Sequence, residues 1–137
     1  MRAADLFAGA GGTSTTDLAA IYGDSMSMVG GAGSLEVKPG VALIDTPEFP
    51  AASKEEGSAG AAMLKSLRWE NAIDWTFLSP SALIQPGERT GKFRLGGDQL
   101  LVGEDGKSRI SIPDFAIALV DELEQRKHIR KRFTVGY

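Results

Sequence analysis

Residues Asp74 to Arg89 read DWTFLSPSALIQPGER, and this stretch decides the fold. Trp75, Thr76, Phe77 and Leu78 are a short run of aromatic, β-branched and aliphatic residues, the composition of a strand buried on both faces. Ser79-Pro80 ends it, because proline has no N–H for the ladder and pushes the preceding residue out of the helical region. Pro86-Gly87 then punctuates a loop. A buried strand that opens into a Ser/Pro/Gly loop is how an α/β sheet forms a ligand crevice at the carboxyl ends of its strands. An ordinary strand end followed by a turn has the same composition, so both readings stand at this point.

Working outward, the flanking segments supply the rest of an α/β domain. Met26 to Val29 reads as a second short strand, followed by the glycine-rich turn VGGAGSLEV with Gly30, Gly31 and Gly33. Glu36 to Pro50 is loop-like, with a brief extended segment at Val41 to Ile44. Ser53 to Glu70 is the best helix. Ser53 is placed to cap it, and Glu55 and Glu56 lie in the first turn, where the helix dipole favours them. Ala59, Ala62, Met63 and Leu67 share one face, and Gly57 and Gly60 allow close approach to a sheet. Lys92 to Ile112 has the lengths and turn chemistry of hairpins in KFRLGG, DQLLVG and SRISI, with Asp105-Gly106 the clearest turn. Pro113 to Gln125 is a second helix with an apolar stripe of Ala116, Leu119, Val120 and Leu123. Arg132 to Val135 is a last strand.

Before all of these, Met1 to Gly23 reads as strand, glycine turn and helix. Ala3 to Ala8 is apolar apart from Asp5, Gly9, Gly11 and Gly12 form the turn, and Thr13 to Ile21 has helical character. Such a turn sets backbone N–H groups at a helix N-terminus, where a phosphate or carboxylate is favoured. The spacing is not that of a GxGxxG dinucleotide site. No linker divides the chain, so residues 1–137 are expected to form one domain.

Composition narrows the chemistry. The chain of 137 residues has 15 basic and 18 acidic side chains, a net charge of −3, no cysteine and a single histidine. Length suits one domain with a real core. The charge argues against a dedicated nucleic-acid or anionic-membrane partner. The basic run RKHIRKR, Arg126 to Arg132, reads as a solvated face, with His128 at the surface. Without a second histidine or any cysteine, a zinc site is not expected. No G-x-S-x-G elbow or P-loop is present. The carboxylate pairs Glu55-Glu56 and Asp121-Glu122 read as solubilising helix surface. No apolar run approaches the roughly 20 residues of a membrane span, and the start lacks the plan of a signal peptide, so a cytoplasmic protein is expected. What remains is Ser34 and the segment Ser79 to Ala82 at strand ends, equipment for holding a cofactor.

The motifs VGGAGSLEV, LIDTPEFP, DWTFLSPSALIQPGERTGKFRLGGDQLLV, SRISIPDFAIALVDELE and KRFTVGY occur in this order between Val29 and Tyr137. In them the chain resembles the atypical short-chain dehydrogenase/reductases, the NmrA-like NAD(P)H-binding proteins. The resemblance begins near Met28 and covers roughly four-fifths of the chain. It implies a Rossmann-like α/β fold, here a shortened parallel sheet of three to four strands with flanking helices and a small β-hairpin region. It implies NADP, or less favoured NAD, bordered by Gly30, Gly31, Ala32 and Gly33 and by Ser79, Pro80, Ser81 and Ala82. It implies hydride transfer to a small carbonyl, quinone or flavin-like acceptor. Ser34 and Lys54 are the candidate catalytic residues. The family's tyrosine-lysine pair after PEFP corresponds to Ser53 and Lys54, and a serine hydroxyl is far less acidic than a phenol. The family's opening strand and glycine fingerprint do not appear, so residues 26–137 read as the later half of such a reductase and residues 1–25 as an atypical start.

That start resembles something else. DLFAGAGGTS, Asp5 to Ser14, is similar to the first motif of DNA cytosine-5 methyltransferases, which implies S-adenosylmethionine at Gly9, Gly11 and Gly12. The cysteine nucleophile of that family cannot exist here. Ala3 to Ala8 is also suited to pair with the edge of the Met26 to Val29 strand. The readings are therefore an NAD(P)-binding reductase domain, a folded remnant without turnover that acts at most through interaction or self-association, and an S-adenosylmethionine-binding module.

Overall fold

A computed structural model describes residues 25–137 of the chain. The expectations for residues 1–24, including Gly9, Gly11 and Gly12, lie outside the described residues. The central element is the strand read first from the sequence. It runs Asp74–Ser79, and every residue from Trp75 to Ser79 is buried. It is the fourth strand in the described chain, β4. On one side it pairs in parallel with β1, Ser25–Val29, and on the other in parallel with β8, Lys131–Gly136. A short strand β6, Arg94–Gly96, closes the sheet antiparallel to β8. The order is β1-β4-β8-β6, the parallel-dominated α/β sheet that the sequence led one to expect.

Alternation along the strands divides the core in two. Met26, Met28, Trp75 and Phe77 pack with Met63, Leu64 and Leu67 of helix α1, Lys54–Arg68, on one face. Leu78, Phe133 and Val135 pack with Phe115 and Ala118 of helix α2, Ile112–Glu124, on the other. Phe77 and Phe133 are each only 1% exposed, and burial of such a side chain contributes roughly 1.5–3 kcal/mol. The result is helix, sheet, helix, with β4 sandwiched between the layers.

Several local expectations are corrected. Ser53 does not cap α1 through its side chain. A 3₁₀ turn, Ala51–Ser53, runs straight into the helix, so Ser53 has helical rather than extended dihedrals (φ −98°, ψ −3°) and lacks the geometry a side-chain cap needs. Gly57 makes its close approach to Ile44 and Phe49 rather than to the sheet: a Cβ there would lie 2.9 Å and 3.0 Å from their side chains. On α2 the buried positions are Asp114, Phe115, Ala118 and Glu122, while Ala116, Val120 and Leu123 are exposed. The apolar stripe was read about one position off because two buried acids belong to the packed face.

The strands of residues 92–112 do not pair as hairpins with one another. β6 joins β8, and β7, Arg109–Ser111, lies parallel to β5, Leu83–Gln85. The turn itself is present: Gly106 has φ +78° and the Gly103 amide donates to the Lys107 carbonyl at 2.9 Å. The hairpin of the described chain joins β2, Glu36–Lys38, to β3, Val41–Ala42, around Gly40 with φ +80°. Among the described residues no helix is long and apolar enough to cross a membrane.

Candidate functional site

The parallel strands β1 and β4 end side by side, and the loops that leave them face one another. Gly30 begins the first loop. Its amide donates to the Leu78 carbonyl at 2.8 Å, and a Cβ on it would stand 2.1 Å from two ring carbons of Phe77. Only glycine lets the chain cross that ring. The second loop is held by Ser81, whose buried hydroxyl donates to the Val135 carbonyl at 2.7 Å. Between the loops opens a cleft of about 680 Å³, a size typical of small-molecule sites.

Gly30, Gly31, Ala32 and Gly33 form one wall, and Pro80, Ser81 and Ala82, continued by Leu83 and Ile84, form another. Leu43, Phe49 and Pro50 bring in the segment between β3 and α1, and Ser53, Glu56, Gly57 and Gly60 present the start of α1. The lining is mainly apolar. Glu48 and Glu56 are its ionisable groups among the described residues. Seven of the loop positions singled out from the sequence, Gly30 to Gly33 and Pro80 to Ala82, thus meet at one cleft.

The other candidates sit elsewhere. Lys54 is exposed and does not line the cleft. Ser34 and Ser79 turn to Arg132 on β8. Its Nη1 donates to the Ser34 hydroxyl at 2.9 Å and to the fully buried Ser79 hydroxyl at 3.2 Å, and its Nη2 donates to the Ser34 carbonyl at 3.2 Å. Its Nε donates to Asp98 at 3.0 Å, and Asp98 also takes a bond from Arg68 at 2.7 Å. Burial pushes the Arg132 guanidinium below its usual range, and the Asp98 carboxylate opposes that shift. Arg132 therefore ties the loop after β1 to the end of β4. The expectation that the whole run Arg126 to Arg132 is solvated fails at this residue, which is 6% exposed. The missed signal was the alternation of KRFTVG: Phe133 and Val135 face α2, so Arg132 and Thr134 face the opposite layer.

His128 and Glu122 are corrected as well. Glu122 is buried and accepts from the His128 ring at 2.7 Å and from the amides of Lys127 and His128, both at 2.9 Å. Burial pushes its carboxyl up, but these bonds outweigh it and lower the group below its ordinary range. The His128 ring also stacks on Phe133. Both residues join the end of α2 to β8.

A second recess, of about 480 Å³, lies beside β7 and includes Gln85, Glu88, Thr90, Ser111 and Tyr137. Thr90 and Tyr137 of its lining bond to Asp114, which is fully buried. The Thr90 hydroxyl donates to it at 2.6 Å, the Tyr137 hydroxyl at 2.5 Å, and the amides of Thr90 and Gly91 at 2.9 Å and 3.0 Å. Burial pushes the Asp114 carboxyl up, but the donors dominate and hold it at about 2. Among the described residues no cluster of three histidine, cysteine or acidic side chains could hold a metal ion.

A parallel-dominated sheet between two helices, with a cleft where β1 and β4 end, is a Rossmann-like arrangement. Comparison with known proteins agrees. No protein-family profile matches the chain. An uncharacterized Bacillus subtilis protein, YwnB, is 47% identical over 111 residues, which are 79% of this chain and 52% of that protein. The chain thus spans about half the length of the curated relative it matches. A solved structure of a candidate exported protein from Burkholderia pseudomallei is 46% identical with a TM-score of 0.85, over 100% of this chain and 66% of the other. A candidate NADH-flavin reductase from Streptococcus pneumoniae is 42% identical with a TM-score of 0.76, over 82% of this chain and 55% of the other.

Proposed function

We propose that this chain carries the nicotinamide side of an NAD(P)H-dependent reductase site. The observation that carries the reading is the convergence of Gly30–Gly33 and Pro80–Ala82 on one apolar cleft at the ends of adjacent parallel strands, the place where open α/β sheets bind ligands. Similarity to the Streptococcus pneumoniae protein supports it. The cleft fits a flat ring. Gly31 has nothing within 4 Å of where a Cβ would stand, and Pro80, Leu83 and Ile84 offer apolar surface opposite. A bound dihydronicotinamide would supply hydride, and NADP is the preferred form over NAD.

The residues around the cleft hold and orient. Gly30 lets the backbone pass close over Phe77, Ser81 fixes the second loop to β8, and Arg132 braces both loops through Ser34 and Ser79. Ser34 serves as that brace rather than as a proton donor, since its hydroxyl faces Arg132. No phenol lines the cleft among the described residues. A ketone would need such an acid to quench the developing alkoxide. A flavin or quinone spreads the added charge over its rings and takes its proton from water, so acceptors of that kind fit this cleft better than ketones.

The test is a thermal melt of the full chain with NADPH, NADH or S-adenosylmethionine. A ligand that binds only the folded state adds about 2.7 kcal/mol at a hundredfold excess over its dissociation constant. The expected outcome is a raised transition with NADPH and a smaller rise with NADH. A rise with S-adenosylmethionine alone transfers the reading to the N-terminal glycine turn. A cooperative transition that none of the three shifts makes the chain a folded remnant without turnover.

A further inference from the structure

The charge pattern of the cleft narrows its occupant. Its walls are mainly apolar side chains and glycine backbone with Ser53 and Ser81, and the two ionisable groups among its described lining residues, Glu48 and Glu56, are both acids. Both are exposed, so they border the cleft where water reaches rather than sit in its floor. The arginine nearest in function, Arg132, is spent on Ser34, Ser79 and Asp98 in a separate recess. Lys54 does not line the cleft.

Resting on the reductase reading above, we infer that the cleft selects a neutral aromatic acceptor and disfavours its phosphorylated form, with Glu48 and Glu56 as the residues that discriminate. The rings gain from apolar burial against Phe49, Leu83 and Ile84. A phosphomonoester carries about −1.5 to −2 charge at neutral pH, meets no cation among the described lining residues, and is repelled by two carboxylates. Charges at such exposed positions act weakly through water, so the discrimination is modest and screened by salt. The dipole at the start of α1 offsets part of the effect of Glu56, which lies in its first turn. Glu48 therefore contributes the larger share.

The experiment measures binding of riboflavin and of FMN to the full chain by quenching of flavin fluorescence, at low and at high ionic strength, for wild type and for the double variant Glu48→Gln/Glu56→Gln. Riboflavin is expected to bind about fivefold more tightly than FMN at low salt, as two exposed charges imply. The gap is expected to close to less than about twofold in 0.5 M salt, and in the double variant through stronger FMN binding alone. Equal or tighter FMN binding by wild type overturns the inference, as does a gap the double variant leaves unchanged, or no binding of either flavin. Because both substitutions are at exposed positions, the variant folds, and a melt verifies it. Flavin discrimination without any shift by NADPH or NADH overturns the reductase reading while the selective cleft stands.

Discussion

Two recesses of this chain are built in opposite ways. Beside β7, Asp114, Thr90, Ser111 and Tyr137 satisfy one another: the carboxylate takes four donors, and the Ser111 hydroxyl donates to the Glu88 carbonyl at 2.7 Å. At the ends of β1 and β4 the lining is mainly apolar, and its Ser81 hydroxyl is turned away to the Val135 carbonyl. A recess whose polar groups are already paired stabilises the fold. One that presents apolar surface and leaves few demands on its occupant is suited to bind.

The contrast breaks first at Asp114. Replacing it by alanine strips four donors of their acceptor inside the core, and a loss of about 3 kcal/mol is expected. Chemical denaturation reads this directly, while flavin affinity of the folded fraction should hold within twofold. Loss of binding without loss of stability would reverse the assignment of the two recesses.

Gly30→Ala comes next. Its Cβ collides with Phe77, and overpacking of this kind costs about 1–3 kcal/mol. Here binding should weaken along with stability, because the loop over the ring must move.

Acid offers a third way to separate the recesses. Asp114 is held at about 2 against an ordinary 3.8, so its contribution is complete above pH 3.8 and is lost as the pH falls through about 2. That contribution is about 2 kcal/mol. Asp114→Asn should flatten the stability profile over this window, as followed by urea midpoints at each pH. Smallest in stability is Ile84→Ala. Ile84 is 39% exposed, so the fold should lose less than about 0.5 kcal/mol, yet riboflavin binding should weaken measurably.

What the sequence disclosed follows the same division between local and distant. β4 was legible because an aromatic and β-branched run ended by Ser-Pro has few other uses, and the glycine turn after β1 because Gly30 answers a local crowding. The place of Ser34 was not legible: the arginine that claims it stands 98 positions away. Arg132 was hidden in a run of like charges, although strand alternation pointed to it. The hairpins of residues 92–112 were misread because turn chemistry reveals a turn, not the strand that β6 will find. On α2, hydrophobicity alone could not show that Asp114 and Glu122 are buried with their partners.

The order of the main sheet has a further consequence, for synthesis. Neither β1 with β4 nor β4 with β8 is a pairing of consecutive strands; each joins segments about fifty residues apart. As the chain leaves the ribosome, Trp75 to Leu78 must wait for Lys131–Gly136 before its second edge is covered. Until then a strand that ends up buried from Trp75 to Ser79 stands half-paired, and this interval is when a chaperone would find most to hold.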